Sequence, residues 1–285
     1  MFNQDLEKRR VWRPVQPKPF SVGSVLFPIA DVPAVGDNII IQSVWVGSSL
    51  SAMEQLCIKS FLKNGHEFHL YTYEDLGGVP KGTVVKDADA IIPKKEIETF
   101  KYVANFSDLF RYTLLRSGGW YVDMDSVCLR PLQFPSEYVF AAAACDFYYV
   151  PVSNVLYSKG CFIENGYIKV PKNNSIMHYC RNLLLDWKKT ENRSYCDPML
   201  IIQDGVRKFD LQQYVQPPCV FDPLPFYRLG DVINPYVSWD LRNSYVVHLV
   251  RSGWSTGSHA HSPALFIGKD YSKECLYERL KEKYL

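Results

Sequence analysis

The segment from Ser107 to Asp125, Ser-Asp-Leu-Phe-Arg-Tyr-Thr-Leu-Leu-Arg-Ser-Gly-Gly-Trp-Tyr-Val-Asp-Met-Asp, constrains the fold more than any other stretch of the chain. Ser107 followed by Asp108 reads as a helix start, since the hydroxyl caps orphan amides and the acid complements the positive end. Leu109, Phe110, Thr113 and Leu114 recur at helical spacing. Asp108, Arg111 and Leu115 share a neighbouring face, and the acid and base stand close enough to pair. Gly118 or Gly119 supplies the left-handed residue that ends a helix. Trp120-Tyr121-Val122 then resumes as a strand. Side chains alternate along a strand, so Asp123 and Asp125 point the same way if the extended geometry persists. Two carboxylates at a strand end suit a hard divalent cation. Each part alone has a plain structural reading: Asp-Xaa-Asp is common in turns, and an exposed Asp/Arg pair contributes about 0.2–1 kcal/mol. Their joint order in one contiguous segment points to a site.

The flanking sequence reads as a β-α-β unit. Asn38 to Gly47 is an apolar run of strand length ending in Gly. Met53 to Leu62 reads as a crossover helix with Leu56, Ile58 and Phe61 among its apolar positions, and Phe68 to Tyr73 as a second strand. That order implies a parallel sheet whose ligand crevice lies at the strand carboxyl ends, where Trp45 and Asp123/Asp125 both fall. Near the C-terminus, Tyr245 to Trp254 reads as an apolar strand delivering His248 and a small-residue loop delivering Trp254. On residue chemistry alone, Trp45 is equally a core side chain or a stacking face. His248 is likewise a satisfied core imidazole or a metal ligand. Ser175 to Lys188 reads as an amphipathic helix with Ile176, Tyr179, Leu183 and Trp187 on one side.

Ser-Asp-Leu-Phe-Arg-Tyr, Gly-Gly-Trp-Tyr-Val-Asp-Met-Asp and Leu129-Arg-Pro-Leu132 together resemble the signature of the DXD-motif sugar transferases. That superfamily includes yeast Golgi mannosyltransferases, α-galactosyltransferases, bacterial polysaccharide enzymes and the glucosylating domains of clostridial toxins. The likeness extends, with gaps, from about Asn38 to Trp254. It implies an α/β GT-A fold with a central, mostly parallel sheet flanked by helices. It further implies metal-dependent, retaining transfer of a hexose from a nucleotide-sugar, a UDP-sugar ahead of GDP-mannose. The acceptor would be a glycan or lipid-linked glycan, or a protein. Residue by residue, it assigns chemistry to Asp108, Arg111, Asp123 and Asp125. It places Trp45, Val46, Tyr121, Asp123, Asp197 and Trp254 at the donor, with Trp45 stacked on uracil. Asp125, His248 and Asp123 would hold Mn²⁺ or Mg²⁺. The sequence departs from the pattern at Gln42, where relatives carry His, and at Asp197, where relatives often carry Thr-Gly-Pro before a helix. Asp197 therefore either grips a donor-sugar hydroxyl or caps a helix beginning at Pro198. A nucleotide-sugar hydrolase and a noncatalytic sugar-nucleotide-binding relative stay open as alternatives.

Whole-chain properties agree with this reading. At 285 residues and 47% hydrophobic content, the chain can form one large α/β unit or two fused subdomains. The expected division is an N-terminal extension over 1–37 and a glycosyltransferase domain over 38–285. Within the domain, 38–132 would bind the nucleotide, and 133–285 would supply the acceptor half and a C-terminal lid. A net charge of +2 shows no nucleic-acid-binding surface. The first ten residues lack an apolar signal core, and no run of about 18 apolar residues predicts a membrane span. Peripheral membrane contact stays open. The 8 cysteines are dispersed without zinc spacing, and are expected as free thiols in a cytoplasmic protein. Arg251, Ser252 and Ser255 read as phosphate contacts or as a solvated loop. His259 and His261 read as part of a polar loop, and Phe221 to Tyr227 as a Pro- and aromatic-rich segment able to pave a sugar site.

Overall fold

The computed structural model describes residues 35–150, 155–189, 197–256, 265–267 and 269–285, with only the backbone at 144–150, 155–161, 197–199 and 255–256. Most of the expected extension, and His259 and His261, lie outside these residues. In chain order the elements are β1 (Ile40–Trp45), α1 (Ala52–Lys63), β2 (Glu67–Thr72), β3 (Val84–Asp87), α2 (Val103–Leu114), β4 (Gly119–Val122) and β5 (Ser126–Cys128). They continue with β6 (Val139–Val150), β7 (Val155–Val170), α3 (Ser175–Lys188), α4 (Asp197–Lys208), β8 (Val215–Gln216) and α5 (Pro218–Phe221). The last are β9 (Val246–His248), α6 (Arg251–Thr256) and α7 (Leu276–Tyr284).

Seven strands form one mixed sheet in the order β3-β2-β1-β4-β7-β6-β8. β3, β2, β1 and β4 run parallel, while β7 pairs antiparallel with both β4 and β6. The parallel half arises from alternating chemistry on each strand. Ile41, Phe68, Leu70, Trp120 and Val122 bury one face beneath Cys57, Ile58 and Phe61 of α1. Val44 and Tyr121 face the other way, beneath Phe106, Leu109 and Phe110 of α2, with α3 and α4 extending that layer. α1 is held by a capping box: Ser51 accepts from the Met53 amide, and Glu54 takes back the Ser51 amide at 2.7 Å.

The chain leaves β1 towards β2 and β3 on one side, then returns through α2 to β4 on the other. The strand order reverses between β1 and β4, and open α/β sheets bind ligands in the crevice at that switch point. Beyond it, β5 and β9 form a separate antiparallel ladder that sets Ser126 opposite His248. α7 closes this region against α1, with Leu56, Val127, Val247, Trp254, Tyr277 and Leu280 packed together. Among the described residues no helix is long and apolar enough to cross a membrane.

Two local expectations are corrected. α2 starts at Val103 rather than Ser107, and its preceding residue, Tyr102, makes no side-chain cap. Burial of Phe106 at 0% exposure extends the helix backwards, so core packing overrides the capping signal. Asp108 therefore lies mid-helix and has no helix end to complement. The segment from Arg251 is a short helix, α6, rather than a loop.

Candidate active site

The glycine pair after α2 sets the geometry of β4. Gly118 has φ +82°, and a Cβ there would lie 2.5 Å from the Lys172 amide nitrogen, so only glycine allows this close approach. The strand runs to Val122, and the chain then turns through Asp123-Met124-Asp125 into β5. Extended geometry does not persist across the two acids, yet both reach one site. Ligand atoms of Asp123, Asp125 and His248 lie within 4.8 Å of one another.

Each acid is held by different means. Asp123 donates its amide to Gly166 O at 3.0 Å, and its carboxylate meets the Arg111 guanidinium at 3.0 Å. Gly166 fits because a Cβ there would stand 3.2 Å from Asp123 Oδ2. Asp125 accepts the Arg251 amide on Oδ2 at 2.7 Å, while its Oδ1 stands 3.3 Å from His248 Nε2. The Leu249 amide also reaches Asp125 O at 2.9 Å, locking the β5/β9 ladder to the motif. Burial alone would raise the Asp125 carboxyl, but His248 and the Arg251 amide outweigh it and draw it down to about 2. Burial would likewise depress the His248 imidazole, but Asp125 and then Glu164 hold it well above its ordinary value.

Arg111 is the hub beneath the motif. It is 4% exposed, contacts Asp108 Oδ1 at 3.4 Å and donates to Asn165 O, with its guanidinium 4.7 Å from the Tyr121 ring centroid. Asn165 returns a bond to Asp108 at 3.1 Å and accepts from Tyr112 at 2.7 Å. The Asp108–Arg111 pair is thus buried and networked, not a surface bridge. Burial pushes the Asp108 carboxyl up to about 6, against the pull of Arg111.

Other expected donor residues are placed differently. Trp45 is half-buried at the end of β1, bonds Ser49 O through Nε1 at 3.1 Å, and lies 5.2 Å from the Arg251 guanidinium. Val46 is half-buried against the α2-side core. Tyr121 and Trp254 are each 1% exposed, so neither offers the contact surface expected of it. Tyr121 lies beneath Arg111, while Trp254 packs on Tyr277 and donates to Leu249 O at 2.6 Å. Both support the site from the core because apolar burial claims their rings. The Asp197 and Ser255 side chains are outside the described residues. Gln42 donates to Trp120 O at 3.3 Å, which bridges β1 and β4. Phe221 is buried against Phe134 and Tyr167, whereas Phe226 and Tyr227 reach the surface.

The structure adds residues that spacing did not reveal. Glu164 and Asp222 stand on the far side of His248, with Nδ1 3.4 Å from Glu164 Oε2 and 3.9 Å from Asp222 Oδ1. Glu54, 0% exposed, accepts from Arg251 Nε at 2.7 Å. The detectable signal was Glu164-Asn165-Gly166, a polar interruption with glycine inside an apolar strand, which marks a bulge. Among the described residues, Asp125 Oδ1, Glu164 Oε1 and Asp222 Oδ1 are buried without a hydrogen-bond partner. Buried oxygens left so are costly. Carboxylates beside an imidazole form a donor set that fits a divalent cation such as Mn²⁺ or Mg²⁺.

Residues 51–141, which run from α1 into β6 and carry Asp108, Arg111, Asp123 and Asp125, match the glycosyltransferase sugar-binding region containing a DXD motif. The chain carries a DXD-type glycosyltransferase region. His248, Glu164 and Asp222 lie beyond the matched residues of this region. No curated protein sequence matches it. A solved structure described as PaToxG glycosyltransferase overlaps it at TM-score 0.39 with 15% identity, covering 60% of this chain and 69% of the other. A transferase carrying two cysteine-to-serine substitutions overlaps at TM-score 0.37 with 11% identity, covering 61% and 85%. Likenesses this weak add nothing to the family match.

Proposed function

We propose that the chain is a metal-dependent glycosyltransferase that moves a hexose from a nucleotide-sugar, a UDP-sugar ahead of GDP-mannose, to a glycan or lipid-linked glycan. The observation that carries the reading is the convergence of Asp123 and Asp125, inside the DXD region, with His248, far beyond it in sequence, at the crevice between β1 and β4. When bound there, a divalent cation supplies Lewis-acid neutralisation of a leaving diphosphate, an effect of several kcal/mol. Asp125 and His248 would hold the cation. Asp123, the more open acid at 29% side-chain exposure, would meet it directly or through water, or would bind the ribose.

The remaining residues orient this set. Arg111 fixes the Asp123 carboxylate while its positive charge offsets the crowd of acids. Asp108 and Asn165 fix Arg111 in turn. Trp45 provides a partly open π-face at the end of β1 for a nucleobase. Arg251 stands over that ring, anchored by Glu54, close to the motif through its own amide. Its guanidinium suits diphosphate oxygens once it leaves Glu54. Retention of anomeric configuration follows the family resemblance.

The test is release of UDP or GDP from a panel of nucleotide-sugars, with Mn²⁺ or EDTA, in wild type and an Asp123→Ala/Asp125→Ala variant. Metal-dependent release from one donor, lost in the variant and accelerated by a glycan acceptor, is expected. Release that no acceptor accelerates would replace transfer by hydrolysis. Failure to bind either nucleotide would remove the reading.

A further inference from the structure

His248 meets carboxylates at both ring nitrogens, and the two sides differ in kind. Nε2 faces Asp125 Oδ1 at 3.3 Å, on the motif side. Nδ1 faces Glu164 Oε2 at 3.4 Å, with Asp222 Oδ1 at 3.9 Å. Glu164 is 6% exposed and Asp222 4%, so this second side is interior. A neutral imidazole has one lone pair to give and one N–H to donate. A ligand through Nε2 must carry its proton on Nδ1, and that proton needs an acceptor in a buried place. The opposite tautomer would aim the Nδ1 lone pair at the nearer carboxylate, Glu164, and withdraw Nε2 from ligation.

The backbone that presents Glu164 is irregular in a way that serves this arrangement. Ala141 pairs with Glu164 and Phe140 with Ile168, so Asn165, Gly166 and Tyr167 are extra residues on β7. Such a bulge re-aims side chains beside active sites. Here Asn165 O receives Arg111, and Gly166 O receives the Asp123 amide. Tyr167 sets its ring at 87° to His248, with centroids 5.7 Å apart, and shares a 2.8 Å bond with Ser126. One bulge therefore braces both Asp123 and His248.

We propose that Glu164 is a positioning residue for the cation site: it accepts the Nδ1–H of His248 and thereby fixes the ring as an Nε2 ligand. This rests on the reading of Asp123, Asp125 and His248 as that site. Outer partners of this kind typically change metal affinity by about 10–100-fold when removed. The role belongs to the acceptor oxygen, so glutamine substitutes for it and leucine does not.

The experiment uses the full chain in two measurements. Mn²⁺ affinity is read from the free-ion electron paramagnetic resonance signal in wild type, Glu164→Gln and Glu164→Leu. The His248 tautomer is read from ring ¹⁵N shifts with Mg²⁺ bound. The expected result is an Nδ1-protonated ring in wild type, Mn²⁺ binding weakened about 10–100-fold in Glu164→Leu, and substantial recovery in Glu164→Gln. Should the leucine variant not fold, the wild-type tautomer decides, and an Nε2-protonated ring overturns the proposal. Wild-type binding with unchanged affinity and tautomer in Glu164→Leu also overturns it, while leaving the cation site standing. Two cations per chain, the second lost in Asp222→Asn, would assign the Glu164 side to a metal instead. A wild-type chain that binds no Mn²⁺ removes the cation site and this role together.

Discussion

Asp125 uses one oxygen on the Arg251 amide and leaves the other buried beside His248, without a hydrogen-bond partner. Asp125→Ala removes the inner carboxylate, and metal-assisted chemistry of several kcal/mol goes with it. Turnover in a donor-hydrolysis or transfer assay is expected to fall at least about a thousandfold, with the fold retained by circular dichroism. Near-normal turnover would show that this acid is not a ligand. Asp222 behaves oppositely. Burial, reinforced by Glu164, holds its carboxyl well above the ordinary range despite His248. Its folded state favours the proton, so the stability present at low pH is lost as pH rises past the unfolded value. A side-chain amide at this position has no such proton to lose. Asp222→Asn should therefore be more stable than wild type at pH 7 by about 1–2 kcal/mol and close to it at pH 4, measured by urea unfolding in EDTA.

Among the elements, the turn between α2 and β4 is the least forgiving. Gly118→Ala sets a methyl against the Lys172 backbone at a positive φ and should cost about 3 kcal/mol or prevent folding. Gly119→Ala is also strained, at φ +97°, but meets only the Gln42 side-chain tip at 2.9 Å, which can move, so it should cost less than Gly118→Ala in the same urea series. The α3 boundaries, the β1-α1-β2 unit and the double-glycine stop were legible because each is written in local periodicity or turn chemistry. The start of α2 was not, since Phe106 is drawn into helix by contacts from distant strands. The motif acids and His248 were legible through resemblance and strand-end placement. Glu164 and Asp222 were not, because a bulge and a loop bring them together and no spacing rule encodes that meeting. Tyr121 and Trp254 were misplaced for a related reason: a large aromatic beside a motif looks the same in sequence whether it faces ligand or core.

At the scale of the whole molecule, His66 and Asp108 also shape the pH dependence of stability, with opposite signs. His66 gives Nδ1–H to Asn38 O at 3.0 Å and takes the Leu132 amide on Nε2 at 2.9 Å, and burial lowers it to about 4. Stability from His66 is lost as pH falls from about 6.5 towards 4, because only the unfolded chain then takes up the proton. Asp108, raised to about 6, works the other way: the folded chain keeps its proton while the unfolded chain releases it, so stability falls as pH rises from about 4 to 6. Asp108→Asn removes that component alone. The stability of the variant relative to wild type should rise by about 2 kcal/mol between about pH 4 and pH 6, and a flat difference would place the Asp108 carboxyl near its ordinary value.

The most direct measurement is a crystal structure of the full chain with Mn²⁺ and UDP, with anomalous scattering recorded at the manganese edge. The account predicts one anomalous peak within bonding reach of Asp125 and His248, directly or by water from Asp123, with diphosphate oxygens on its open side and the base against Trp45. UDP bound in the crevice with no metal at these residues, or a peak elsewhere in the chain, would contradict it.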